Sequence, residues 1–389
     1  MEYVEISKVI DIELGKTPSR NNTDYWNGEN TWITIADMTK KYIEESKEKI
    51  TDTAIKNTKI KKVPQNTVIM SFKLSIGKRA ITKAEVYTNE AIAAFHIKDL
   101  KSLIPEYLYY ALESVDFLRY TDKAVKGKTL NKEKLKKIRI PIFSLSVQLK
   151  ISEILNKIQK IIKNKRKQIF LFDELIKSRF IEMFGDPIRN KKGWEIKKLG
   201  EVTNKISSGA TPTGGKENYK ISGISLIRSM NVHNGYFEYK DLAYISNEQA
   251  RQLKNVEVEL EDILLNITGA SIARSCLVPS NIIPARVNQH VMIIRIKNKI
   301  LNSIFLNNLF LNNVYKQKLI NLGEANGATR QALTKIQIEK LEIILPPLSL
   351  QNEFAEFATK IDKLKFEAEK SLKEMENLYE SLMQKFFKQ

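Results

Sequence analysis

Three sets of side chains in this sequence have the types that catalysis or metal binding would use. Asp186, Glu195 and Lys197 have the loose look of a nuclease set, in which carboxylates hold a divalent ion. Asp186, however, lies in "MFGDPIRN", where a long helical pattern stops, and no strand precedes it to present its carboxylate. The set reads as a helix end followed by a strand start. His96, His233 and His290 are the only histidines; they are scattered, lack HxxxH spacing and have only Cys276 to join them, so a metal site is not expected. His96, inside "AAFHI", reads as a strand histidine. "GATPTGG" from Gly209 lacks the Lys-Ser/Thr of a phosphate loop, and no glycine-rich loop of the dinucleotide type links a strand to a helix. No catalytic centre is expected in the chain.

A second chemistry fits the composition better. The formal net charge is +19 and the isoelectric point is about 9.6, which favours a polyanionic partner, nucleic acid above all. Reading base edges needs Arg, Lys, Asn, Gln, Ser or Thr, whereas phosphate contacts need Lys or Arg and carry no sequence information. In the first half of the chain the candidates are Thr34, Lys73, Lys78, Arg79 and Asn89. In the second half they are Arg228, Asn231, Asn266, Thr268, Arg274, Asn288, Gln289 and His290. The alternative for "TNE" and "NQH" is turn chemistry, with the amides satisfying nearby backbone. Two glycine-containing loops, "KGKTLNKEKLKK" from Lys126 and "NGATRQALTKIQ" from Asn326, add Lys126, Lys128, Arg330 and Gln331 as candidate phosphate contacts.

These residues fall at matching places because the chain is a duplication. Residues 138–184 align with 341–387, so that "LSVQ" at Leu145–Gln148 meets "LSLQ" at Leu348–Gln351. Upstream, "KTPS" meets "ATPT", "WITIADM" meets "LIRSMNV", "LSIGKRA" meets "ASIARSC" and "TNEAIAAF" meets "VNQHVMII". These stretches mix short β-rich runs and turns with helical patterns such as "PEYLYYALES" from Pro105. After each "LSxQ", apolar residues recur in steps of four and three. They are Ile151, Leu155, Ile158, Ile162, Ile169, Phe172, Ile176 and Met183 in the first copy, and Phe354, Ala358, Ile361, Ala368, Leu372, Met375, Tyr379, Leu382 and Phe386 in the second, with Lys165 and Lys365 set in the seams. That spacing is the seam of a coiled coil. It predicts two helices of roughly 40 residues, ~60 Å each, which pair with one another. Gly185 and Pro187 end the first helix.

The predicted order is globular domain 1–145, long helix 146–184, hinge 185–193, globular domain 194–345 and long helix 346–389. At 389 residues and 42% hydrophobic composition, two α/β (α+β) domains can each bury a core. One cysteine excludes a disulfide framework and fits a reducing compartment. The first residues lack the pattern of a signal peptide, and no window reaches the ~20 apolar residues of a membrane span. The chain reads as cytoplasmic, with no membrane partner.

This layout resembles the specificity subunit of type I restriction–modification systems. The resemblance rests on "MFGDPIRNKKGWEIKKLGEV" at the hinge, on "PIFSLSVQ" and "PPLSLQ" at the helix starts, and on the "SIGK"-like and "NQH"-like stretches in each half. It covers nearly the whole chain. It implies two target recognition domains, each reading half of a bipartite double-stranded DNA target, joined by two antiparallel helices that set the gap. It also implies a non-catalytic subunit that recruits two modification (methyltransferase) subunits, which use S-adenosylmethionine, and two restriction (motor–nuclease) subunits, which use ATP and Mg. A ~60 Å rod spans ~17 base pairs at 3.4 Å each. The competing readings are a self-contained DNA-acting enzyme and a structural coiled-coil adaptor. The missing Asn/Asp-Pro-Pro-aromatic motif and cofactor loop argue against the first. The duplicated globular halves and the net charge argue against the second.

Overall fold

The computed structural model describes residues 2–120, 130–210, 219–324 and 332–388. The chain divides into two compact units, Met1–Arg166 with Lys370–Gln389, and Lys167–Glu369.

The first unit begins with β1 (Glu2–Glu5), α1 (Ile6–Val9), β2 (Ile10–Leu14), β3 (Trp26–Ile33), β4 (Tyr42–Ile43), β5 (Glu48–Ile50) and α2 (Asp52–Thr58). It continues through β6 (Val68–Ser71), β7 (Arg79–Thr82), β8 (Tyr87–Thr88), β9 (Ile92–Ile97), α3 (Pro105–Glu113), α4 (Lys132–Lys136) and β10 (Arg139–Ile142) into α5 (Leu145–Phe184). Five strands run in the order β2-β9-β6-β7-β4, three in the order β5-β3-β8, and β1 pairs with β10. Alternation places Val68, Met70 and Phe95 on one sheet face, where α3 covers them with Tyr107, Leu108, Ala111 and Leu112. Ile151 and Leu155 of the long helix join the same core.

The second copy holds β11 (Glu195–Lys198), β12 (Thr203–Ser208), β13 (Ile224–Ile227), β14 (Ala243–Ile245), α6 (Asn247–Gln252), β15 (Ile263–Asn266), β16 (Ser275–Leu277), β17 (Ala285–Val287) and β18 (Val291–Ile296). Then come α7 (Ser303–Leu311), α8 (Asn313–Glu324), α9 (Lys335–Glu339), β19 (Glu342–Leu345) and α10 (Leu348–Phe387). Its sheets run β12-β18-β15-β16, β14-β13-β17 and β11-β19. Even the unusual pairing recurs: β3–β8 and β13–β17 are both parallel.

The long helices pair antiparallel within each unit. In the first unit Gln159 donates to Tyr379 Oη at 2.9 Å and Arg166 pairs with Glu376 at 2.6 Å. In the second, Asp173 meets the seam lysine Lys365 at 2.5 Å and Arg179 meets Glu353 at 3.0 Å. Ile151, Leu155, Ile158, Phe354 and Ile361 are buried, while Ile162, Ile169, Phe172, Leu372 and Met375 are half-buried. Phe180 and Phe184, which the stepwise seam leaves out, pack against Phe305 and Phe354 with ring centroids 4.8 to 5.7 Å apart.

The end of α5 is built as the sequence suggests. Gly185 takes φ +77° and its N–H bonds Ile181 O at 2.8 Å. Lys192 Nζ donates to the carbonyls of Glu182 and Met183, and Trp194 Nε1 to that of Phe184. Asp186 accepts the N–H groups of Ile188 and Arg189, which hold its carboxyl below the usual range. Glu195 pairs with Lys197 at 2.8 Å. Asp186, Glu195 and Lys197 thus form a helix cap beside a strand ion pair.

Each "LSxQ" ends in a fully buried glutamine. Gln148 accepts from Ile104 N–H at 3.1 Å and donates to the carbonyls of Ser102 and Phe143, both at 2.8 Å. Gln351 accepts from Asn302 N–H at 2.9 Å and donates to the carbonyls of Ile300 (3.3 Å) and Pro346 (2.7 Å). Replacing either by alanine orphans three backbone groups. Q148A and Q351A should each lower stability by about 2–3 kcal/mol, measured by denaturant unfolding of the full chain. A loss below about 0.5 kcal/mol would show that water satisfies those groups instead.

Candidate nucleic-acid interface

Three loops meet at one end of each β-structure, held by the same backbone bonds in both copies. In the second unit Asn288 N–H bonds Ile227 O, Ile267 N–H bonds His290 O, Leu333 N–H bonds Ile267 O and Asn266 N–H bonds Arg274 O. In the first, Asn89 N–H bonds Ile33 O, Phe72 N–H bonds Ala91 O, Leu130 N–H bonds Phe72 O and Ser71 N–H bonds Lys78 O. The loops following β13, β15 and β17, and those following β3, β6 and β8, are therefore brought together.

Side chains fix these loops. Asn288 Oδ1 accepts from His290 N–H at 3.0 Å, and Asn89 Oδ1 from Ala91 N–H at 3.1 Å. Asn231 accepts from Arg228 N–H and donates to the carbonyls of Glu238 and Lys240. Asn266 donates to the carbonyls of Ser229 (2.8 Å) and Val232 (3.2 Å). Asn231, Asn266 and Asn288 are buried, so these three amides shape the surface from beneath rather than reach a base. Thr34 donates through both N–H and Oγ1 to Asp37. Turn chemistry thus accounts for most of the predicted asparagines.

The side chains left at the surface are those above this frame. Thr268 Oγ1 lies 2.8 Å from His290 Nδ1, Gln289 is exposed, and Arg274 is half-buried. Lys316, on α8, donates to Asn234 at 2.7 Å; burial and the nearby Arg274 lower its pKa. Beside them Met230 is 44% and Tyr236 51% exposed, and His233 stacks on Tyr236 at 4.8 Å. Sequence reasoning missed Met230, His233, Asn234, Tyr236 and Lys316; only the cluster "MNVHNGY" gave any local signal. Arg228 is bound to Asp241 O and lies 5.4 Å from the Tyr219 ring. In the first unit Lys73 lies over Phe72, and Lys78 Nζ donates to Ile35 O at 2.6 Å, which ties two of the loops together. Lys126, Lys128, Arg330 and Gln331 lie outside the described residues.

Arg79 belongs elsewhere. Its side chain is 13% exposed, pairs with Glu113 at 3.1 Å and lies over Tyr109. It is part of a joint between the β-structure and the long helices. Glu113 also accepts from Tyr379 of α10 at 3.0 Å. At the same joint Lys41 Nζ reaches Asn156 of α5 at 2.5 Å and Tyr110 Oη at 3.3 Å, inside a cage of Tyr42, Tyr109 and Tyr110 rings. Burial pushes its pKa down to about 8, against the pull of Glu106 and Glu113.

A sequence model of the type I restriction modification DNA specificity domain matches residues 1–170 and 191–377. The chain is 26% identical over 377 residues to the type I restriction enzyme MjaIX specificity subunit of Methanocaldococcus jannaschii, covering 90% of this chain and 84% of that one. It is 28% identical over 167 residues to the EcoR124I/EcoR124II specificity subunit of Escherichia coli, 40% of each chain. In fold it resembles the crystal structure of a type I restriction–modification S subunit from M. genitalium, with a TM-score of 0.61 at 14% identity, covering 99% of this chain and 96% of that one. A chain solved in work on complex assembly of the type I system gives 0.59 at 15%, covering 99% and 97%.

The Lys41 joint has a pH signature. With a folded pKa of about 8 against the ordinary lysine value of 10.5, the unfolded chain binds more protons between those values, so stability rises with pH across that window. The wild type should therefore gain stability relative to K41M as pH goes from 7.5 to 10, read by urea unfolding. A difference that is flat or shrinks would place the lysine in water.

Proposed function

Because the chain belongs to the type I restriction modification DNA specificity family, as a subunit that recognises DNA and does no catalysis itself, we propose that its two loop clusters each read one half of a split duplex target. The observation that carries this reading is the repetition of the same three-loop frame, bond for bond, under different surface residues. One frame with two sets of tips suits two different half-sites. In the second half Arg274 and Lys316 supply phosphate contacts and Thr268, Gln289 and His290 reach base edges; in the first, Lys73 and Lys78 take the phosphate role.

The twofold repetition suits the docking of two modification subunits and, in a full complex, two restriction subunits. S-adenosylmethionine belongs to the former and ATP with Mg to the latter; this chain contributes the address. No helix among the described residues is long and apolar enough to cross a membrane. The long helices set the spacing between half-sites.

Base-resolution methylome sequencing of the source cells, with and without the gene, tests the reading. One split motif methylated at adenine should vanish with the gene. If no motif is lost while the modification subunit is still made, the reading fails.

The spacing role has its own test. One extra heptad in α5 and a matching one in α10 keep the apolar seam in register. Seven residues add ~10 Å, about three base pairs. The methylated motif should keep both half-sites and widen its gap by about three. A changed half-site would show that the helices take part in base reading.

A further inference from the structure

Leu74 is the residue of the first loop cluster that local physics least explains. It is 88% exposed and its φ is +61°, in the left-handed region where a side chain other than Gly, Asn or Asp is strained. The duplication supplies an internal control. Phe72 and Ile267 make the same two backbone bonds, each donating to the returning loop (Ala91 O and His290 O) and accepting from the segment before α4 or α9 (Leu130 and Leu333). Two residues on from these anchors stand Leu74 and, in a loop one residue longer, Gly269, which takes φ +65°. Both loops place a left-handed residue at that step. The second copy fills it with glycine, the type such backbone prefers, and the first with a large apolar side chain held out in water.

Neither the strain nor the exposure of Leu74 stabilises the fold, so its role is external. It stands beside Lys73, four residues before Lys78 on the same loop, among the loops assigned above to the first half-site. We propose that Leu74 is an apolar base-contacting residue that inserts against the bases of the first half-site, while the flanking lysines take the phosphates. Apolar side chains meet thymine methyls or wedge base steps in this way. The inference rests on the specificity-subunit reading.

L74G and L74N both suit left-handed backbone and both remove the apolar surface. They should fold at least as stably as the wild type, by thermal unfolding of the complex co-purified with its modification subunits. Their affinity for a duplex carrying the motif identified by methylome sequencing should fall about tenfold. The slope of log affinity against log salt should not change, since no phosphate contact is lost. Wild-type affinity in both variants, a reduced salt slope, or a loss that follows a lowered unfolding midpoint would overturn the proposal. A wild-type complex that binds no duplex above background would remove the subunit reading itself; unaltered binding by both variants removes only the role of Leu74.

Discussion

A side-chain amide buried away from water must find partners for its N–H groups and its oxygen, or it destabilises whatever encloses it. Gln148 and Gln351 meet that demand with one N–H donor and two carbonyls each, all from backbone. Two of those partners lie in the segment leading into α3 or α7 and one ends the strand before the long helix. One amide therefore fixes where a long helix starts relative to the sheet it leaves. Because the arrangement occurs twice, each β-structure is carried on its helix in the same way. The loop clusters inherit their orientation from this junction.

The loops show how a reading surface is made rigid before any partner arrives. Their asparagines point inward, closing turns and bridging from one loop to the next, and the outward residues ride on that frame. Ordering is completed during folding, so less conformational entropy remains to be lost on binding. A buried network also restricts which positions can change freely. Asn266 and Asn231, whose side chains bridge to neighbouring backbone, cannot vary without breaking the frame.

The long helices were legible because an apolar seam of 3.5-residue period runs for about 40 residues and occurs twice in matched length and register, which an ordinary amphipathic helix on a globular core does not require. The duplicated β-structure was legible from paired short motifs. The roles of the asparagines were not, since the same amide serves to close a turn or to read a base, and only its surroundings decide. Arg79 looked like a loop cation because its neighbours in sequence are loop residues; its carboxylate partner, Glu113, comes from α3. The Lys41 joint was invisible for the same reason, with partners drawn from α3 and α5. Phe180 escaped because a strict seam count steps past it, while the aromatic cluster around Phe305 draws it in.

The first unit is assembled from residues 1–166 and 370–389. Met383 and Phe387 belong to its core, Phe387 lies 5.3 Å from Tyr107, and Tyr3 Oη donates to the Phe387 carbonyl. Translation delivers these pieces far apart in time. At ~5–20 residues per second, the stretch between them occupies the ribosome for roughly ten to forty seconds. During that interval the amino-terminal half exposes apolar surface that its own neighbours in sequence do not cover, while the second unit, continuous from 167 to 369, emerges whole. The half that is made first is thus the half that is finished last.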